Sequence, residues 1–324
     1  MQSYVRATTL GLMALIAVSH APTVRAEDAF PSHVVRVVVP AAAGSTTDAI
    51  ARLLADKLGR SWNQSVIVDN IAGGAMNTGA EHVAKATPDG YTLMVTPPSP
   101  VAINQLLYND LNYDPRKFVA VAMLAKIPNA LAVRNDLPAK DVRELIAYAK
   151  ANPGKLSFGS QGAGSTAHLS ASQLEVLAGI KMVHVPYRGA LPALNDVIAG
   201  HIDMFFDTLT TSVPLWRAGK LRILAVASAE RTPSVPELPT LAESGVPGFR
   251  SITWFVLVAP PGTPAAVVDK INRDVNAAFG ELSEKFTTLR LEPMPGTAAD
   301  AARFIADETA LWGKVIAEAH VTVK

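Results

Sequence analysis

Val34-Val35-Arg36-Val37-Val38-Val39-Pro40-Ala41-Ala42-Ala43-Gly44-Ser45-Thr46-Thr47-Asp48 runs from a β-branched stretch, through a loop of small residues, into a segment with helical periodicity that reaches Leu58. The end of that loop, Ala43-Gly44-Ser45-Thr46, returns as Ala163-Gly164-Ser165-Thr166, between the strand-like Lys155–Gly159 and a helical stretch His168–Leu177. A strand that enters a helix through such a loop leaves backbone N–H groups unpaired at the positive end of the helix dipole. That arrangement binds anions. Two copies, one in each half of the chain, point to two lobes gripping an anionic ligand. Junctions with Gly and Ser are also ordinary connections of α/β folds, so the repeat alone leaves both readings open.

Working outward, β-branched runs alternate with helical stretches along the whole chain, which is the pattern of an α/β fold. Strands are expected at Val34–Val39, Ser65–Val68, Tyr91–Thr96, Leu156–Gly159, Met182–Pro186, Ile202–Phe206, Leu221–Ser228 and Trp254–Ala259. Phe118–Leu124 and Ala130–Val133 read as one extended segment broken by Pro128-Asn129, a crossing between lobes. Thr78 with Glu81, Asp141 with Glu144, and Thr297 with Asp300 have capping-box form, and Thr263-Pro264 pairs an N-cap with proline at the first helical position. Pro97-Pro98-Ser99-Pro100 is expected to be a loop. The lobes expected are residues 27–126 with 253–324, and residues 127–252.

The N-terminus has a basic residue at Arg6, an apolar core Leu10–Val18 and small residues at Val24-Arg25-Ala26. That is a secretory signal peptide over residues 1–26, too short in its apolar core for a membrane anchor. The chain has 324 residues with 29 basic and 28 acidic side chains, and losing Arg6 and Arg25 leaves 27 against 28. Near neutrality argues against a nucleic-acid or anionic-membrane partner. With no cysteine there is no lipoprotein anchor, disulfide framework or thiolate metal site.

Walker, Gly-x-Gly-x-x-Gly and Gly-x-Ser-x-Gly patterns are absent, since Gly162-Ala163-Gly164-Ser165-Thr166 sets its serine one place late. No paired histidines suggest a metal, and neither metal nor cofactor is expected. Ser165, His168 and Asp207 could serve an exported serine hydrolase, a reading that rests on residue types alone. The binding reading uses other groups. Ser45 and Thr46 either cap a helix or meet a ligand, and Asp48 fits the capping carboxylate. Ser160, Gln161 and Ser165 are turn polarity or ligand contacts. Arg188, in Val185-Pro186-Tyr187-Arg188-Gly189, is a surface cation or a bidentate partner for a carboxylate. Asp207 ends an apolar strand, where it either receives a ligand donor or orders the following loop.

Ordered signposts carry a further reading. They include Arg36-Val37-Val38-Val39-Pro40, Gly73-Gly74 before Asn77-x-Gly79-Ala80-Glu81, Pro88-Asp89-Gly90-Tyr91-Thr92-Leu93, His184-Val185-Pro186-Tyr187-Arg188-Gly189 and Ala259-Pro260-x-Gly262-Thr263-Pro264. Over essentially the whole mature chain the sequence resembles the extracytoplasmic solute receptors of tripartite tricarboxylate transporters, the Bug family. The resemblance implies a periplasmic, two-lobed binding-protein fold of type II, with mixed sheets flanked by helices. It implies a monomer that closes over a small carboxylate and docks on membrane permease subunits.

It places the ligand against Ala42, Ala43, Gly44, Ser45 and Thr46, and against Ser160, Gln161, Gly164, Ser165 and Thr166. Pro98 and Ser99, in the loop after Tyr91–Thr96, and Asp207 belong to the same cleft, and Asn77 and Arg188 are further candidate ligand contacts. The chain departs from the family where Gly44 stands alone, where Pro97–Pro100 is rich in proline, and where Thr208 replaces asparagine. A stiffer, less polar wall at Pro97–Pro100 suits a flat or apolar ligand body, such as an aromatic dicarboxylate. A receptor that senses rather than transports would use the same binding physics.

Overall fold

One mixed β-sheet runs through the molecule in the order β2-β1-β3-β9-β4-β7-β5-β6, with β8 and β10 also paired to β4. The computed structural model describes residues 30–323, so the expected signal peptide lies outside the described residues. The strands are β1 Val35–Val39, β2 Val66–Asn70, β3 Thr92–Thr96, β4 Val119–Val133, β5 Ser157–Ser160, β6 Val183–Pro186, β7 Met204–Thr208, β8 Arg222–Val226, β9 Ile252–Ala259 and β10 Glu292–Pro293. β1 lies parallel to β2 and β3, and β5 parallel to β6 and β7, whereas β9 is antiparallel to both β3 and β4. The late strand β9 thus sits among strands from the chain's beginning.

Nine α-helices flank the sheet among the described residues. They are α1 Thr46–Trp62, α2 Asn77–Ala84, α3 Asn104–Leu107, α4 Val142–Ala151, α5 Thr166–Ala178, α6 Ala190–Ala199, α7 Leu209–Arg217, α8 Ala265–Thr288 and α9 Ala298–Glu318. None is long and apolar enough to cross a membrane. Central strands read as unbroken apolar runs because both faces are covered, as in Val119–Val133, where twelve of the fifteen residues are buried.

The sequence expectation of a break at Pro128-Asn129 is corrected, because β4 is a continuous strand of 15 residues. Pro128 stands where β4 exchanges its partner β9 for β7 and β8, and such a handover tolerates a missing ladder donor. Asn129 ties the same point to the start of β9, donating to Ser251 Oγ at 2.8 Å and accepting from Thr253 Oγ1 at 2.9 Å.

Other corrections lie at helix starts. Pro97-Pro98 is a short turn, but Ser99–Ile103 already forms a wide helical turn leading into α3. Proline costs little there because first-turn N–H groups need no intrahelical acceptor. α2 begins at Asn77, one residue before the expected cap Thr78, and Pro264 rather than Thr263 caps α8. Thr263 instead donates to the Pro260 carbonyl. Helix α7 was not expected, since Thr210, Thr211, Val213 and Pro214 oppose helix on propensity. The caps at Asp141 and Thr297 stand as expected.

Gly79 lets α2 approach the loop after β1. A Cβ there would lie 2.7 Å from the Ile71 carbonyl and 2.9 Å from Pro40 Cα, both backbone atoms that cannot swing aside. Gly79→Ala should therefore destabilise the fold by about 1–3 kcal/mol, measured as a lowered urea midpoint at unchanged slope.

Candidate functional site

The two Ala-Gly-Ser-Thr loops fold alike. Gly44 and Gly164 take φ of +81° and +80°, in the left-handed region that glycine enters without strain. Ser45 caps α1 by accepting the Asp48 N–H at 3.2 Å, and Ser165 caps α5 by accepting the His168 N–H at 3.4 Å. The third helical residue then returns a bond to the glycine. The Gly44 N–H donates to Asp48 Oδ2 at 2.9 Å, and the Gly164 N–H donates to His168 Nδ1 at 3.1 Å. Burial penalises the Asp48 charge, but bonds from Arg52, Gly44 and Asn70 outweigh it and hold the carboxyl below its ordinary range.

Each loop also reaches across to the other half of the sheet. Thr46 Oγ1 lies 3.0 Å from Thr208 Oγ1, at the end of β7, and Thr166 Oγ1 lies 3.1 Å from Thr253 Oγ1, on β9. Nearby, Tyr108 donates to the Ala163 carbonyl at 3.1 Å.

Between the loops lies a cavity of about 460 Å³, within the range typical of small-molecule sites. Ten of the sequence-predicted residues line it: Ala42, Ala43, Ser45, Thr46, Ser99, Gln161, Ser165, Thr166, Arg188 and Asp207. The other five do not line it. Gly44 and Gly164 set loop shape. Asn77 accepts from Asn104 and Tyr113, holding α2 to α3. The Pro98 carbonyl accepts three successive N–H groups of the following turn. Ser160 is fully buried and bonds His184 Nε2 at 2.7 Å.

Pro97, Leu191, Thr208, Thr211, Thr253 and Phe255 line the cavity as well. Of these, Thr208 is marked in the sequence as a departure from the family. Thr211 and Thr253 gave no signal, because a threonine in a helix or strand reads as filler.

The walls are largely apolar, with polarity concentrated at the two loops and at Asp207. Arg188 is exposed at the rim, and no ion pair engages it among the described residues. The Gln161 side-chain oxygen is buried without a partner. The hydrolase constellation is not assembled. Ser165 Oγ caps α5, His168 Nδ1 accepts from Gly164, the Asp207 carboxylate meets Thr211, and no bond joins the three side chains.

This loop-and-cavity arrangement sits on the fold of a periplasmic binding protein. Rpa4515 of R. palustris, solved with adipate, matches it at a TM-score of 0.88 and 39% identity, covering 90% of this chain and 99% of that one. MatC (Rpa3494) from Rhodopseudomonas palustris, with bound malate, matches at a TM-score of 0.83 and 32% identity over 89% and 100% of the two chains. Among sequence relatives, the UPF0065 protein in the tcbD-tcbE intergenic region of Pseudomonas sp. (strain P51) is 38% identical over 90% of this chain and 88% of its own length. Protein BugT of Bordetella pertussis is 33% identical over 92% of each.

Residues 50–321 match the tripartite tricarboxylate transporter family receptor, TctC. The chain belongs to that family of solute-binding receptors, which is not a family of enzymes.

Beneath the second loop, His168 and His184 stack with ring centroids 4.0 Å apart, and the Phe158 ring lies beside both, 4.9 Å from His184 and 6.1 Å from His168. Burial, with repulsion from His184, lowers His168 to about 3, and burial lowers His184 to about 4. Both stay neutral in the folded chain while their unfolded counterparts protonate near 6.5. The unfolded state therefore binds more protons below that pH, and stability should fall on acidification from about pH 6.5 to about pH 4. Each histidine contributes up to about 1.4 kcal/mol per pH unit. His168→Asn, which keeps an acceptor for Gly164, should remove about half of that slope in urea titrations across this range.

Proposed function

We propose that the mature chain is a periplasmic receptor that captures a small dicarboxylate by closing two lobes over it and delivers it to membrane permease subunits of a tripartite tricarboxylate transporter. The observation that carries this reading is the convergence of two identical helix-start loops on one cavity. Thr46 and Thr47 begin α1, and Thr166 and Ala167 begin α5, so their N–H groups have no acceptor one turn back. A carboxylate between the two helix starts supplies those acceptors and meets the positive ends of two helix dipoles.

Relatives bound to adipate and malate support the ligand class. The lobes are residues 27–126 with 253–324, and residues 127–252, hinged at Pro128-Asn129 on β4 and at Ser251-Ile252 on entry to β9. Closure is favoured only by contacts that exist with both lobes in place, and the Thr46–Thr208 and Thr166–Thr253 pairs are such contacts. A cavity walled by Pro40, Ala41, Pro97, Leu191 and Phe255 suits an extended or flat apolar body, such as adipate or terephthalate, between polar ends.

Thermal-shift measurement against adipate, malate, citrate, terephthalate and neutral amino acids tests the reading. A matching dicarboxylate at a hundredfold excess over its Kd should stabilise the chain by about 2.7 kcal/mol. Response to the amino acids alone would reject the dicarboxylate class.

Gly164→Val should abolish the response while leaving the chain folded. A β-branched residue resists the left-handed conformation, and its Cβ would come within 2.9 Å of Leu107 Cδ1 across the cleft. Undiminished affinity in this variant would remove the two-loop mechanism.

A further inference from the structure

Four oxygens form a line along the cavity wall. Thr46 Oγ1 lies 3.0 Å from Thr208 Oγ1, which lies 3.2 Å from Thr211 Oγ1, and Thr211 Oγ1 is hydrogen-bonded to Asp207 Oδ2. All four residues line the cavity. Each hydroxyl has a single hydrogen to donate, so the group at the end of the line fixes its direction.

An ionised Asp207 can only accept. To keep all three bonds, Thr211 must donate to Asp207, Thr208 to Thr211, and Thr46 to Thr208. Every hydroxyl hydrogen is then consumed inside the wall, and a ligand meets lone pairs. With a proton on Oδ2 the line reverses. Asp207 donates to Thr211, Thr211 to Thr208, Thr208 to Thr46, and the Thr46 hydrogen is left for the cavity. Thr211 also lies within 3.3 Å of the Thr208 carbonyl. Donation there likewise leaves the Thr208 hydrogen for Thr46, so the side route gives the same result.

The surroundings favour the proton. Asp207 is 1% exposed, and its Oδ1 is buried with no hydrogen-bond partner. The part of β4 beside it, Asn129–Val133, has no titratable side chain, and neither has β5. On α5, His168 and Glu175 bond the Gly164 and Met182 N–H groups. Asp196 of α6 bonds Tyr187 and His201, Arg217 of α7 pairs with Glu237, and Arg222 of β8 donates to the Leu137 and Ala139 carbonyls. Arg188 is exposed at the cavity rim. With no cation to offset it, burial pushes Asp207 up to about 7.

We propose that Asp207 is a positioning residue whose proton turns the Thr211–Thr208–Thr46 line toward the ligand, so that the receptor takes up a carboxylate together with one proton. The inference rests on the carboxylate reading above and adds to it a linkage between ligand and pH. An anion in the cavity holds the proton on Asp207 more tightly, and by reciprocity the proton holds the anion.

Isothermal titration of the mature protein with adipate and malate, in buffers of different ionisation enthalpy from about pH 6 to about pH 8.5, is the test. Proton uptake should approach one per ligand at the alkaline end and vanish at the acid end. Affinity should weaken by up to about tenfold per pH unit above neutrality. The two stacked histidines and the ligand's own carboxyl groups titrate below this window.

Asp207→Asn, whose amide can donate to Thr211 at every pH, should bind with no pH dependence. Thr211→Val, which cuts the line, should lose that dependence as well. Binding by the unaltered chain without proton uptake overturns the proposal and leaves the receptor reading intact. So does a pH dependence that survives Thr211→Val, since Asp207 would then act by charge alone. Failure of both acids to bind at any pH would overturn the carboxylate reading and this proposal together.

Discussion

A backbone N–H at the start of a helix must find an acceptor, and this molecule meets that requirement twice with one device. Glycine in the left-handed region turns the chain, serine caps the helix, and the third helical residue bonds back to the glycine. What remains unmet is the same pair of N–H groups at α1 and at α5, and the sheet brings those two ends together. The fold's other commitments follow from holding them there. Gly79 draws α2 against the first loop, the stacked histidines support the second, and β4 with β9 spans the distance between them.

The same device is built from different chemistry in its two copies. Asp48 serves the first loop as a carboxylate stabilised by Arg52, and His168 serves the second as a neutral imidazole. Asp48 is charged and ion-paired with Arg52 behind one loop, and a neutral imidazole stands behind the other, so the two helix starts that meet at the cavity are electrostatically unequal.

Much of this was legible in the sequence because it depends on local pattern. The loops, the α/β alternation and the caps at Asp141 and Thr297 are set by residues a few positions apart, as is the apolar run that becomes β1. What was not legible depends on distant partners. Pro128 reads as a break until β9 and β7 are seen to exchange places beside it. Helix α7 opposes its own propensity and is held by packing of Leu209 and Val213. Thr211 and Thr253 carry no local mark, since their importance lies in oxygens contributed from elsewhere in the chain. Asn77 and Ser160 flank the right loops and so read as ligand contacts, yet their side chains bond neighbours that sequence distance conceals.

The continuity of β4 has one more consequence. A single strand whose ladder passes from β9 to β7 and β8, with shifts of register at Ala120–Ala122, Met123–Ala125 and Leu131–Ala132, joins the two halves of the sheet through one run of backbone. Buried and paired on both sides, the amide hydrogens at its centre are expected to be among the slowest in the molecule to exchange. The strand that carries the chain from one half of the sheet to the other is thus also the hardest part of it to open.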